Sequence, residues 1–455
     1  QARLGKQAFD KWQMDADSFK PEVEEDQVAI SKLTAEYTEL LSSAEFEFKG
    51  EKLNLSSLGK YTLDDDRETR HAANKLKWQW FADNAEAFDL IFDKLTKLRH
   101  GTAQKLGCKD FVELGYKRMH RIDYTREDVK NLRKQIVDDV VPLVTELVER
   151  QRKDLGVDKV MFWDSGVWDA KGSPRPHGDH DWMVNRAVEM FDDIGHGLGE
   201  FFRLMKDRGL LDLKSREGKA GGGFCTSFPT YGVPFVFANF NGTDGDVRVF
   251  THEIGHAFQN FSSQGQALLD YHWPTFESAE IHSMSLEFIT WPWMEKFFED
   301  DADRFRYAHL ASGLAFLPYG TAVDHFQHLV YENPEATPDE RREMWAQMEQ
   351  TYLPWRDYGD LPHVKDGGFW QVQRHIYGMP FYYIDYVLAQ ICAFQFWDRS
   401  ESDREGTMQD YVKLCKRGGE APFQELARGA GLKSPFEDGC LKTVATKAKD
   451  WLAEH

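Results

Sequence analysis

Cysteine is scarce in this chain: Cys108, Cys225, Cys392, Cys415 and Cys440 are five in 455 residues, an odd number without C-x-x-C spacing. That argues against a disulfide framework and leads us to expect a reduced, cytoplasmic chain. There is no apolar run of 18 residues and no signal-peptide pattern, so a membrane-spanning helix is not expected. Positive charge is in deficit, with 56 Lys and Arg against 76 Asp and Glu and a net charge of −20. A nucleic acid or an anionic membrane is therefore a poor partner. Linkers rich in Pro, Gly and Ser are missing too, although length alone suggests about three domains. Gly221-Gly222-Gly223 is not followed by the Gly-Lys-Ser/Thr of a phosphate loop, and a nucleotide site is rejected.

What is present is aromatic and helical. With 33 Phe, 14 Trp, 16 Tyr and 41% hydrophobic residues, a large core is available. Apolar residues recur at three- and four-residue spacing over 21–41, 67–106 and about 125–152. Asp64-Asp65-Asp66, Thr125-Arg126-Glu127-Asp128 and Thr337-Pro338-Asp339-Glu340 mark helix starts. Residues 157–181 break the pattern, and His177-Gly178-Asp179-His180 within them reads as a polar loop. A helix over 182–208 follows. Residues 219–240 are the convincing β region, and its glycines would let another backbone approach closely. An extended peptide could add to such an edge as a strand.

One stretch carries chemistry. Thr251-His252-Glu253-Ile254-Gly255-His256 contains H-E-x-x-H. On a helix, residues four apart lie on one face, so His252 and His256 can offer two nitrogens to one divalent ion. Glu253 sits about 100° further round, able to reach a water on the metal without ligating it. A carboxylate there can take a proton from that water and return it to a leaving amine. Phe250, Ile254, Phe258 and Phe261 give the helix an apolar stripe, so the polar residues are buried and need partners. A third histidine six residues on would complete one known pattern, but that position is Ser262. The remaining source is a carboxylate on the following helix, where Glu280 and Glu277 are equally placed by spacing.

The run Phe235–Phe288, with Asn239-Phe240-Asn241-Gly242-Thr243, Asp246-Val247, His252 to Phe258 and Glu280-Ile281-His282-Ser283-Met284, resembles the oligoendopeptidase F family, related to thimet oligopeptidase and neurolysin. The likeness continues through Pro318-Tyr319, Tyr331-Glu332-Asn333-Pro334, Trp370-Gln371, His375 and Phe381-Tyr382-Tyr383-Ile384-Asp385-Tyr386. It implies a mostly α fold, shaped as a clam around a deep internal channel, with a small β-hairpin or sheet beside the active-site helix. Residues 1–155 would form one wall of the clam and 156–455 the zinc-peptidase region. Within the latter lie the β segment 219–240, the H-E-x-x-H helix 246–264, a third-ligand helix 275–299 and a His/Tyr helix 375–398.

The resemblance further implies one Zn2+ per chain, held by His252, His256 and Glu280, with Glu287 and Asp246 supporting the ligands. Glu253 would be the general base. His375, Tyr383 and Tyr386 would stabilise the oxyanion, with Tyr382 a rival for one tyrosine. Gly222, Gly223, Phe224 and Tyr382 would bind substrate. The expected activity is a zinc-dependent oligoendopeptidase acting on internal bonds of short unfolded peptides. Two alternatives stand: a metallocarboxypeptidase of the carboxypeptidase Taq type, for which Arg248 and Arg374 are the available basic grips, and a catalytically silent peptide-binding homologue. The chain starts at Gln1 without Met, as in a processed or truncated form or a shorter family branch. The sequence does not decide the oligomeric state.

Overall fold

In a computed structural model of the chain, which describes residues 4–216, 219 and 221–455, helices begin where capping side chains stand. Thr125 with Asp128 and Thr337 with Glu340 close capping boxes ahead of helices Arg126–Gln135 and Pro338–Tyr352. Asp66 accepts the Thr69 N–H ahead of Arg67–Asp83, and Asp179 accepts the Trp182 N–H ahead of His180–Ile194. Each cap satisfies a backbone donor that the first turn leaves open.

Several expected helices are interrupted. The stretch 67–106 divides at Asn84, and 182–208 divides at Gly195 and Gly197, whose φ angles of 73° and 89° end one helix and open the next. The helix from Arg126 passes through a π turn at Ile136–Val140 directly before Pro142, whose missing N–H breaks the regular ladder. The expected helix 275–299 ends at Ile289. Pro292 then forces the 3-10 turn Trp291–Trp293, and a short helix Glu295–Phe298 follows. The expected helix 375–398 is likewise two, Arg374–Gly378 and Tyr383–Ser402, parted around Pro380.

The chain forms two units: Gln1–Phe9, Gly172–Leu314 and Asp385–His455 make the first, and Asp10–Lys171 with Ala315–Ile384 the second. These limits do not coincide with a break after residue 155. The chain leaves the first unit inside the helix Ala302–Glu332 and re-enters it inside Tyr383–Ser402, where no local composition marks a boundary.

The second unit holds a hairpin of β1 (Phe46–Phe48) and β2 (Glu51–Leu53), turned by Lys49 and Gly50 at positive φ. Its core is aromatic, with Trp78, Phe88, Trp345, Trp370 and Tyr377 fully buried. The first unit holds a sheet of β3 (Leu211–Lys214), β4 (Phe224–Phe228) and β5 (Val233–Phe240) in the order β3-β5-β4. β4 pairs antiparallel to β5, Phe224 opposite Phe237, while β3 runs parallel, Leu211 opposite Val236. Of the β region expected over 219–240, residues 224–240 form a hairpin, 219 and 221–223 lie in no strand, and 220 is outside the described residues. The additional strand β3, four residues long, was not anticipated because its Leu-Asp-Leu-Lys alternation is too short to stand out.

Directly after β5 comes the helix Asp244–Ser262, which carries H-E-x-x-H. Its apolar stripe meets the helix Leu198–Asp207: Phe258 and Phe261 lie 5.6 and 5.0 Å from Phe201, and Phe250 lies 5.4 Å from Phe202. Its other side packs on the helix Phe276–Ile289 at Gly255. A Cβ there would stand 2.6 Å from the His282 carbonyl oxygen and 2.7 Å from Ser283 Cα. Only hydrogen fits, so the two backbones touch. Gly255→Ala is expected to push the helices apart at a cost of about 1–3 kcal/mol, read as a lower midpoint in thermal unfolding of the metal-free protein.

Candidate active site

The two touching helices bring the expected ligands together. Among the described residues, His252, His256 and Glu280 form the one group of three His, Cys, Asp or Glu side chains able to share a cation, with all ligand atoms within 4.8 Å of one another. His252 Nε2 lies 3.2 Å and His256 Nε2 3.3 Å from the same oxygen, Glu280 Oε2. Donors about 2.0–2.1 Å from a tetrahedral zinc are spaced about 3.3 Å apart, so the trio fits such an ion. Of the two carboxylates left open by spacing, Glu280 lies in this group. Glu277, one turn earlier and also buried, is not in the group. The decoy His177-Gly178-Asp179-His180 behaves as a polar loop, with His177 paired to Glu299 and His180 to Asp181.

Around the trio, hydrogen bonds set orientation. Ser283 Oγ donates to Glu280 Oε2 at 2.8 Å. Glu287 places Oε1 2.8 Å from His252 Nδ1 and Oε2 2.9 Å from His309 Nε2. Ser283 and His309 carried no signal in the sequence: the first is one serine among several, and the second lies on a later helix at no fixed spacing from the motif. Asp246, expected to support the ligands, turns elsewhere. Its carboxylate accepts the Asn241 N–H at 2.9 Å and the Gly242 N–H at 2.7 Å, fixing the loop that leads into the metal helix. His282 is fully buried, and burial drops its pKa to about 4, making it a neutral core histidine.

Burial and charge drive the three acidic side chains apart. Burial alone would raise all three pKa values. For Glu280 the neighbouring His256 and His252 outweigh it and hold the carboxyl well below its usual range. For Glu287 the hydrogen bonds from His252 and His309 outweigh it and bring the pKa to about 2. Glu253 has no such bonds and burial dominates, so its pKa is raised. A carboxylate of raised basicity beside two that stay ionised suits a proton acceptor.

The β hairpin borders this base. A Cβ on Gly223 would lie 3.2 Å from Glu253 Oε1 and 3.1 Å from Val249 Cγ1, so the glycine admits the backbone to the site's edge. Gly222, at φ 100°, accepts from Asn239 Nδ2 at 2.9 Å. Phe224 is 50% exposed and stacks on Phe237, with ring centroids 4.9 Å apart. β4, like β3, is an outer strand of its sheet among the described residues.

The remaining predicted residues sit mostly in the second unit. There the His375 ring stacks on Tyr382 at 5.4 Å and meets the edge of Tyr383 at 5.2 Å; both tyrosines therefore accompany the histidine. Burial pushes the Tyr383 hydroxyl up to about 12, so it remains a proton donor. Between His375 and Tyr383 the backbone makes a left-handed turn at Phe381, φ 69°, which is rare for a bulky residue. Phe381 is held on both sides: Gln327 Oε1 accepts its N–H at 2.9 Å, and Arg121 donates to its carbonyl. Its buried ring fills the space that a side chain at Gly115 would need. Tyr386, half-buried one turn further on, belongs to the first unit.

Two histidines and an acidic residue on one helix, met by a glutamate from the next, are the arrangement expected of a metallopeptidase centre. Comparison with known proteins agrees. Residues 186–446 match peptidase family M3, and the chain belongs to that family. Over its whole length it is 46% identical to PZ peptidase A, solved with an inhibitor, with a TM-score of 0.98 and 81% of that chain covered. It is also 46% identical to a Bacillus anthracis str. Ames protein assigned to oligoendopeptidase F, with a TM-score of 0.92 and 79% of that chain covered. No curated protein matches. The chain is a mostly helical metalloendopeptidase, and neither alternative activity is favoured.

Glu287 makes a pH-dependent contribution to stability. Its folded pKa of about 2 lies below the ordinary 4.5, so its contribution is full above pH 4.5 and is lost as pH falls toward 2. In metal-free protein, Glu287→Gln is expected to cost up to about 3 kcal/mol at neutral pH. Unfolding midpoints of the two proteins should converge as pH is lowered below 4.

Proposed function

We propose that this protein is a zinc-dependent oligoendopeptidase that hydrolyses internal bonds of short, unfolded peptides in the cytoplasm. The convergence of His252 Nε2 and His256 Nε2 on Glu280 Oε2 at 3.2 and 3.3 Å carries the reading. Neutral imidazole and carboxylate donors make zinc the natural choice, one ion per chain. When bound, the cation supplies Lewis acidity, polarising a carbonyl and easing deprotonation of water.

Glu253 then acts as the base. Its Oε1 takes the proton of the attacking water and hands it to the nitrogen of the departing amine. A buried carboxylate of raised pKa suits both halves of that transfer. Negative charge developing on the carbonyl oxygen calls for donors that need no reorganisation. His375, Tyr383 and Tyr386 are the groups we assign to it, with Tyr382 the substitute for Tyr383. The contacts of His375 with both tyrosines of the second unit, stacked on Tyr382 and edge-on to Tyr383, support a common role.

Substrate backbone would pair with the outer edge of β4 beside Gly222, Gly223 and Phe224. A carboxypeptidase would need a free cation to hold the terminal carboxylate. Arg248, a candidate on the metal helix, is instead paired with Asp244 at 2.9 Å.

The test compares wild type and Glu253→Gln on an internally quenched peptide of about nine residues, where loss of the base is expected to lower the rate by at least about 10² with metal content unchanged. Equal rates would remove Glu253 from the mechanism. Product analysis should show internal cleavage, and release of single C-terminal residues would return the carboxypeptidase reading. Tyr383→Phe is expected to reduce kcat by about 10²–10³ with little change in KM. A matching loss in Tyr382→Phe but not in Tyr383→Phe would reassign the donor. Casein should be turned over far more slowly than the short peptide.

A further inference from the structure

Glu287 does not end the chain of hydrogen bonds that begins at His252. Its second oxygen meets His309 Nε2 at 2.9 Å, and His309 Nδ1 in turn receives the indole N–H of Trp291 at 2.9 Å. All these groups belong to the first unit. Indole nitrogen can only donate. His309 Nδ1 must therefore present a lone pair, which places the ring's proton on Nε2 and makes that nitrogen the donor to Glu287. A protonated His309 would set two N–H groups face to face at 2.9 Å. Burial likewise keeps its pKa below the ordinary value.

The direction then propagates. Glu287, accepting from His309 at one oxygen, accepts at the other from His252 Nδ1 at 2.8 Å. With its proton on Nδ1, His252 keeps Nε2, 3.2 Å from Glu280 Oε2, as the nitrogen that a cation would take. Trp291, which cannot accept, thus settles the polarity of the His309–Glu287 contact, and the ionised Glu287 carries it on to His252.

We infer that Trp291 and His309 are positioning residues for the first metal ligand, fixing through Glu287 which nitrogen of His252 carries the proton. The inference rests on the metal reading of His252. Packing holds the two residues where this requires. The His309 ring lies parallel to Phe288, centroids 4.4 Å apart and 12° between planes, a stack that holds the plane of the ring. Trp291 is flanked by Trp397 at 5.9 Å and Trp451 at 5.4 Å, and its carbonyl accepts two bonds from Arg306. The Pro292 break that stops the preceding helix is what frees Trp291 to adopt this place.

The experiment is a zinc titration of metal-stripped full chain against a competing chelator, for wild type, His309→Leu, His309→Gln and Trp291→Phe. Wild type must first take up one Zn2+; failure there would sink the metal reading itself, before any variant is compared. The glutamine amide N–H can occupy the Nε2 position and donate to Glu287, whereas leucine offers only packing. His309→Leu is expected to bind zinc about 10–100-fold more weakly and His309→Gln within about threefold of wild type. Ring nitrogen NMR shifts of His252 should report a proton on Nδ1 in wild type and in His309→Gln, and a mixture in His309→Leu. Wild-type affinity in the leucine variant, or equal losses in both variants, would overturn the inference. If His309→Leu fails to fold, Trp291→Phe decides: weakened zinc binding supports the role and wild-type affinity overturns it.

Discussion

The contact on which this site depends is the touching of two helix backbones at Gly255. Glu280 has a short side chain and must reach both histidines of the neighbouring helix with one oxygen. It can do so because nothing larger than hydrogen separates the helices where they cross. A methyl group would lengthen the reach for every member of the trio at once. The histidine spacing is a property of one helix; the third ligand is a property of the gap between two.

That close approach also concentrates charge. Three carboxyl groups and two imidazoles share a volume from which water is largely excluded, and each acidic group would separately be costly to bury. The arrangement resolves the conflict by unequal hydrogen bonding. Glu280 and Glu287 are surrounded by donors and remain charged, whereas Glu253 is left to the effect of burial. The three proposed roles of ligand, orienting group and base fall to one residue type, made different by what each touches.

Much of this was legible in the chain itself. H-E-x-x-H is a local pattern and survives translation into structure intact, as do the caps at Thr125 and Thr337. The hairpin over 224–240 was visible in its aromatic and β-branched residues. Spacing left Glu277 and Glu280 equal, because both face inward on one helix and only the crossing at Gly255 separates them. The long helices expected over 67–106 and 182–208 proved broken at Asn84 and Gly195, since periodicity of apolar residues continues across a kink. The interleaved units and His309 were illegible for a common reason: each depends on residues far apart in the chain. Ser283, only three positions from Glu280, was one serine among several. Asp246 shows the opposite error. An acid near a metal motif looked like part of it, yet its oxygens answer the nearest orphan backbone donors.

The turn at Phe381 has a consequence for how such a sequence can drift. Its ring occupies the place where any side chain at position 115 would stand, and its backbone tolerates a positive φ only under the hold of Gln327 and Arg121. Positions 115 and 381 are therefore not free to vary singly. A larger residue at the first is admissible only with a smaller one at the second, and glycine at the second would release the backbone from the need for its two holders. Descendants of this chain should change these four positions together or leave them alone.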